Sequence, residues 1–196
     1  MAQIGLKNLY YATITEDATT GVETYGTPAL LAKAISAEFN ITDDNATLYA
    51  DDGADVVIRG FQSGTLTLGV NDLSTAALAA LTGATVDKNG ILVSAAENMS
   101  KPVAIGFQSK SAKGGDRYFW FYRVTFAAPS GTLNTKGETV SFETPSIEGT
   151  ISRRNKADAF NNHPWKAEVK AGETGVDATT ITSWFTTVYE PEAPSQ

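Results

Sequence analysis

Apolar and polar residues alternate along much of this chain, and the repeat is two residues far more often than the 3.6 of a helix. The strongest run is Tyr118 to Phe126, YFWFYRVTF. Alternation there places Tyr118, Trp120, Tyr122, Val124 and Phe126 on one face and Phe119 and Phe121 on the other. A strand so nearly apolar on both sides is expected to be central, covered on both faces by its own chain or on one by another subunit. The run Pro102 to Ser109, PVAIGFQS, precedes it, and Gly114-Gly115 between them offers the positive-φ positions of a turn. Pro102 to Phe126 therefore reads as a long hairpin.

Weaker strand patterns surround it. Ala34 to Ile41 alternates through Ile35, Ala37, Phe39 and Ile41, and Thr47 to Ala50 reads as a short strand. Val56 to Val70 reads as two short strands broken near Ser63-Gly64. In Glu138 to Ser152, Val140 and Phe142 are even and Ile147 and Ile151 odd, with Pro145 between them at a bulge or bend that resets the register. Val86 to Val93 holds Asp-Lys-Asn-Gly, a type I turn closed by a left-handed glycine. Helical patterning is confined to two places. Asp72 to Thr82 has Asp72 or Ser74 as cap, a stripe of Leu73, Ala77, Ala80 and Leu81, and Gly83 as stop; Asp177 to Phe185 is capped by Asp177 and carries Ile181, Trp184 and Phe185. There is no repeat, heptad run or interdomain linker. The expectation is a single mainly β domain over residues 1–189, a sandwich or barrel-like sandwich with one flanking α-helix and a short C-terminal helix, then a disordered tail at 190–196.

Composition narrows the chemistry. The 196 residues include no cysteine and one histidine, which removes disulfide frameworks, thiolate metal sites and thiol nucleophiles. The net charge of −7 argues against a free nucleic-acid binder, which presents a basic surface. Charge is unevenly spread: residues 1–58 hold nine acidic and two basic side chains, and residues 59–135 hold four and seven. Residues 136–196 hold nine and six. Such stretches either pair, within the chain or between copies of it, or simply solvate separate surfaces. No apolar run has the length of a signal peptide or a membrane span, so a cytoplasmic, membrane-free protein is expected.

Tests for catalytic and metal motifs fail one after another. His163 lies in the turn-like NNHPW, and neither a nucleophile elbow nor a phosphate loop occurs. In TDDNATLYADDGAD, Asp43, Asn45 and Thr47 fit the first positions of a calcium loop, but Leu48 stands where glycine is needed and Ala54 where the bidentate glutamate belongs. The aromatic run 118–126 contains no carboxylate, unlike a sugar-cleaving cleft. Its basic neighbours Lys110, Lys113, Arg117 and Arg123 read as a hairpin tip beside a core strand and not as a nucleic-acid platform. No enzyme and no cofactor is expected.

Taken in order, several segments resemble the major tail protein family of long, flexible-tailed phages of Gram-positive bacteria. They are IGLKNLYYATIT, LYADDGAD, NDLSTAALAALTGATVDKNGILV, the stretch from KPVAIGFQSK through RYFWFY to TKGETVSFETPSIEGT, and SWFTTVYEP. The resemblance runs from Gln3 to Pro191, and VAIGFQSK, RYFWFY, TKGETVSFETP and SWFTTVYEP are its most specific pieces. It implies a tail tube subunit, a β-sandwich with a flanking helix that forms stacked hexameric rings around a tape-measure protein. The implied location is the virion tail, assembled in the host cytoplasm. The implied partners are further copies of the chain, the tape-measure, tail terminator and distal tail proteins, and genome DNA that passes through the lumen without sequence-specific binding. On this reading Pro102 to Phe126 is a candidate wall element. The acidic stretch Ala50 to Asp55, with Asp51 and Asp52, and the tip Lys110 to Arg117, with Lys110, Lys113, Gly114 and Gly115, are candidate contacts between rings. The competing expectations are a carbohydrate-binding or adhesin-like sandwich using Tyr10, Tyr11 or Trp165, and an enzyme with a carboxylate pair.

Overall fold

The computed structural model describes residues 3–50, 53–112, 114–129 and 144–192. In chain order they form β1 (Gln3–Glu16), β2 (Glu23–Tyr25), β3 (Ala29–Ala32), β4 (Ala34–Ala50), β5 (Gly53–Val70), α1 (Thr75–Thr82), β6 (Thr85–Val86) and β7 (Leu92–Val93). Then come β8 (Val103–Ser111), β9 (Arg117–Phe126), β10 (Ser146–Ile151), β11 (Lys166–Lys170) and α2 (Ala178–Ser183). The strand order β2-β1-β8-β9-β10-β5-β4, with β3 beside β1 and β11 beside β9, makes one nine-stranded antiparallel sheet. β6 and β7 pair separately. The mainly β fold with a flanking helix and a short C-terminal helix is as expected, and the sheet does not close into a barrel.

The sheet is nonetheless strongly curled. Phe39 on β4 is three strand steps from β9, about 14 Å across a flat sheet. Its ring centroid lies only 5.4 Å from that of Phe121 and 6.3 Å from that of Phe119. Inside the curl sits the main core, including Leu9, Leu66, Leu68, Ile105, Phe121, Phe126, Ile147 and Ile151, closed by Leu73, Ala77 and Leu81 on and beside α1. Ser74 caps α1 by accepting from Ala77 N, and Gly83 ends it at φ 70°. A second core covers the outer face, where Trp184 and Val188 pack on Ala12, Ala104, Trp120 and Tyr122. Both faces of β9 are thus covered by the chain itself.

Register slips correct the simple alternation at several places, three of them in strands whose patterns were read above. Between Val103↔Val124 and Ile105↔Phe121 the β8–β9 pairing slips by one residue, at Tyr122-Arg123. The slip turns Val124 and Phe126 away from Trp120 and Tyr122 and into the core with Phe119 and Phe121. A slip between Ala34 and Ser36 leaves Ile35 53% exposed, out of line with Ala37 and Ile41. The break expected near Ser63-Gly64 is a third slip, where Thr42↔Ser63 gives way to Asp43↔Phe61. The chain does not stop there, and β5 is one strand of 18 residues paired to a β4 of 17, which absorbs Thr47 to Ala50. Of the extended run Glu138 to Ser152, β10 accounts for the last part; Val140 and Phe142 lie outside the described residues.

Candidate assembly surfaces

β10 pairs with β5 only from Gly64 to Gly69. From Asp43↔Phe61 to Ala50↔Gly53 the β4–β5 hairpin has no other strand partner among the described residues, a two-stranded ribbon of about 25 Å at the usual rise. β4 ends the strand order, so its other edge has no strand against it among the described residues. Phe61 anchors the root of the ribbon by stacking on Trp165, with centroids 4.7 Å apart and planes 7° from parallel. β5 and β9 both run antiparallel to β10, so they run the same way. The ribbon tip and the β8–β9 turn therefore point to the same end of the sheet. Asp51, Asp52 and Lys113 lie outside the described residues.

The β8–β9 turn is braced from beneath. Gln108, buried among the strands, accepts from Asn8 Nδ2 (2.7 Å) and donates to Asp116 Oδ2 (2.7 Å) and Tyr118 Oη (3.0 Å). Asp116 Oδ1 accepts from Ser111 N (3.2 Å), and its carbonyl accepts from Ala171 N. Gly114 and Gly115 take φ 82° and 74°, as a turn at this pair requires. A Cβ on Gly115 would stand 2.9 Å from the Ala171 carbonyl oxygen, whereas one on Gly114 would meet nothing. Lys110 is exposed at the end of β8, opposite Gly5. β8 and much of β9 are buried, whereas Lys110, Ala112 and Gly114 are exposed toward the turn end of the Pro102 to Phe126 hairpin.

β11 rests on Glu168, which pairs with both Arg117 and Lys166. Burial raises the Glu168 carboxyl, but these two cations outweigh it and hold it below the ordinary value. A depressed folded pKa stabilises fully above the unfolded value, and that share is lost as pH falls through the folded one. Acidification through the carboxylate range should therefore speed amide exchange in Lys166–Lys170 before it does so in β8, with Glu168→Gln removing the difference.

The opposite side holds a charged layer that the sequence did not suggest. Glu23, fully buried, accepts from Asn155 N (3.0 Å) and pairs with Arg123, which also pairs with Glu16. Arg154, fully buried, lies over the Tyr122 ring at 4.7 Å and donates to Glu190 Oε2 (2.8 Å). Lys156 donates to the other oxygen of Glu190 (3.0 Å). Burial depresses the Arg154 guanidinium, and Glu190 and Tyr25 together more than offset this, so its pKa ends above the usual value. Burial likewise pushes the Tyr25 and Tyr122 phenols well up. Glu190, first of the residues assigned to the tail, is thus bonded to the body of the domain, and Tyr122 Oη donates to the neighbouring Tyr189 carbonyl (2.9 Å). His163 Nδ1 lies 3.2 Å from the Arg154 carbonyl, an acceptor only, so this nitrogen carries the proton and fastens the 154–163 loop.

No grouping of three or more His, Asp or Glu side chains able to hold a metal occurs among the described residues. A groove of about 460 Å³ runs between α1 and the ends of β1 and β8, with Lys101 as its one charged lining residue. No helix among the described residues is long and apolar enough to cross a membrane. No protein-family model and no curated protein matches the chain.

Proposed function

We propose that this chain is a structural subunit that works by self-association, a tail tube protein whose copies form stacked rings. The observation that carries the reading is the β4–β5 ribbon, whose β4 edge has no strand against it among the described residues. A two-stranded ribbon is marginal in water and an unpaired edge invites another strand, so a partner that covers both stabilises them. A second copy of the chain supplies such a partner and closes under rotational symmetry. The resemblance to phage major tail proteins supports the same conclusion, and with it a lumen for DNA and the tape-measure protein. The carbohydrate-binding alternative has less support, because the rings it needs are occupied. Trp165 is stacked on Phe61, Tyr10 is stacked on Phe185 at 5.0 Å, and Tyr11 packs on the main core.

The N-terminal ends of β5 and β9 lie at one end of the sheet, so head-to-tail stacking would set that end against the far end of the next ring. Negative-stain microscopy of concentrated protein tests the reading. Wild type is expected to give rings or tubes about a hundred ångströms wide, the scale for six subunits of this size. Reversing Asp51 and Asp52 to Lys, or Lys110 and Lys113 to Glu, is expected to shorten tubes or abolish them. Recovery of length in the combined variant places the two patches against one another on side-by-side subunits; no recovery places them on separate contacts. Unchanged tubes in both single reversals remove these patches from assembly, and a wild-type chain that stays monomeric in the presence of an initiating tail complex overturns the function.

A further inference from the structure

The chain contains one Asn-Gly dipeptide, Asn89-Gly90. A glycine nitrogen is unhindered by any Cβ on its own residue, so it is the best placed to attack the preceding side-chain carboxamide. In that reaction the deprotonated Gly90 nitrogen bonds to Asn89 Cγ, the Cγ–Nδ2 bond breaks, and ammonia leaves with the proton. Water then opens the five-membered imide at one carbonyl or the other, giving aspartate or isoaspartate. The step is neither oxidative nor reductive and consumes one water.

Both residues are exposed, at the turn between β6 and β7. Exposure alone would leave them reactive, yet Asp87 engages both the attacking nitrogen and the amide nitrogen that must leave. Gly90 N donates to the Asp87 carbonyl (3.0 Å), which ties up the nucleophile. Asn89 Nδ2 donates to Asp87 Oδ2 (3.2 Å), which holds the carboxamide on the Asp87 side chain. Asp87 Oδ1 accepts from Asn89 N (2.8 Å) and Ile91 N (2.9 Å), and Asp87 N donates to the Ile91 carbonyl (2.9 Å). The result is a type I turn closed by Gly90 at φ 80°. We propose that Asn89 is a latent deamidation site of this protein and that Asp87 keeps it closed. The chemistry then proceeds only from the opened turn, and its rate is set by how often the turn opens. The backbone hydrogen bond from Ile91 leads the effects that hold the Asp87 carboxyl below its ordinary value, so the clamp stays ionised in neutral buffer.

Once formed, isoaspartate lengthens the backbone by one methylene, and the turn cannot re-form in its original geometry. The product also adds a negative charge beside Asp87. The test follows ammonia release and the one-dalton gain in the peptide containing Asn89, with isoaspartate quantified separately, in full-length protein at mildly alkaline pH. Folded wild type is expected to react several-fold more slowly than the same chain in denaturant. Asp87→Ala should bring the folded rate close to the denatured one while circular dichroism reports the sheet intact. Asp87→Asn keeps the Oδ1 acceptor and the turn, and is expected to react faster than wild type because the carboxylate hold on Nδ2 is lost. Asn89→Ser should remove the product. A folded wild type that reacts as fast as the denatured chain, or an unchanged rate in both Asp87 variants, overturns the proposal.

Discussion

Trp120→Ala is expected to cost the fold roughly 3–5 kcal/mol, the range for removing a large aromatic from a closed core, and to shift the urea midpoint accordingly. The side chain is fully buried, and its loss acts twice. It vacates the centre of the outer core, where Trp184, Phe185 and Val188 pack. It also removes the indole N–H that donates to the Trp184 carbonyl (2.9 Å). Among the described residues the C-terminal segment has no strand pairing after α2; it is held by this bond, by Tyr122 Oη on Tyr189 O, and by Glu190 on Arg154 and Lys156. Limited proteolysis should therefore find cleavage between Trp184 and Glu190 in the variant and none in wild type. A variant with unchanged urea midpoint and protease pattern would show that the outer core is dispensable.

The second large effect comes from the residue across the ladder. Gly106 pairs with Trp120, and a Cβ there would lie 2.8 Å from each of three indole carbons. The ring is rigid and closely surrounded, so it cannot step aside. Gly106→Ala should destabilise by about 1–3 kcal/mol, as overpacking of a filled core does. In a Trp120→Ala background the same substitution should cost close to nothing, because its obstacle is gone and the sites share one cavity. Equilibrium denaturation of the double-mutant cycle checks this, and simple additivity would contradict the geometry.

What was legible in the sequence is what is decided locally. Ser74 and Gly83 mark α1, Asp87 to Gly90 makes its turn, and Gly114-Gly115 closes the central hairpin, all from residues within a few positions of one another. What was not legible is decided by a distant partner. β1 escaped notice because a slip between Lys7 and Tyr10, with Asn8 at φ 56°, changes the parity of its apolar residues; Leu6 and Leu9 both reach the main core. The slip at Tyr122-Arg123 hid the true faces of β9 in the same way. Arg154 sits in the polar run SRRNK and carries no sign of burial; its environment comes from Tyr122 and Glu190, each more than thirty residues away. Of the candidate site, the basic turn was legible through its glycines. The length of the β4–β5 ribbon was not, because acidic residues interrupt its apolar pattern.

The pairing of β1 with β8 has a consequence in time. The Asn8–Gln108 bond spans 100 residues, and the bond from Asn155 to Glu23 spans 132. At ~5–20 residues per second, β1 leaves the ribosome roughly 5–20 s before the strand that completes its edge. Until then it has only the local hairpin strands β2 and β3 as partners, and its open side is a template for any neighbouring chain. Sequence separations of this size also make a sheet slow to close once synthesis ends. The most delicate period for this chain is therefore before it is finished, while its first strand still waits for its own chain and other nascent copies lie within reach.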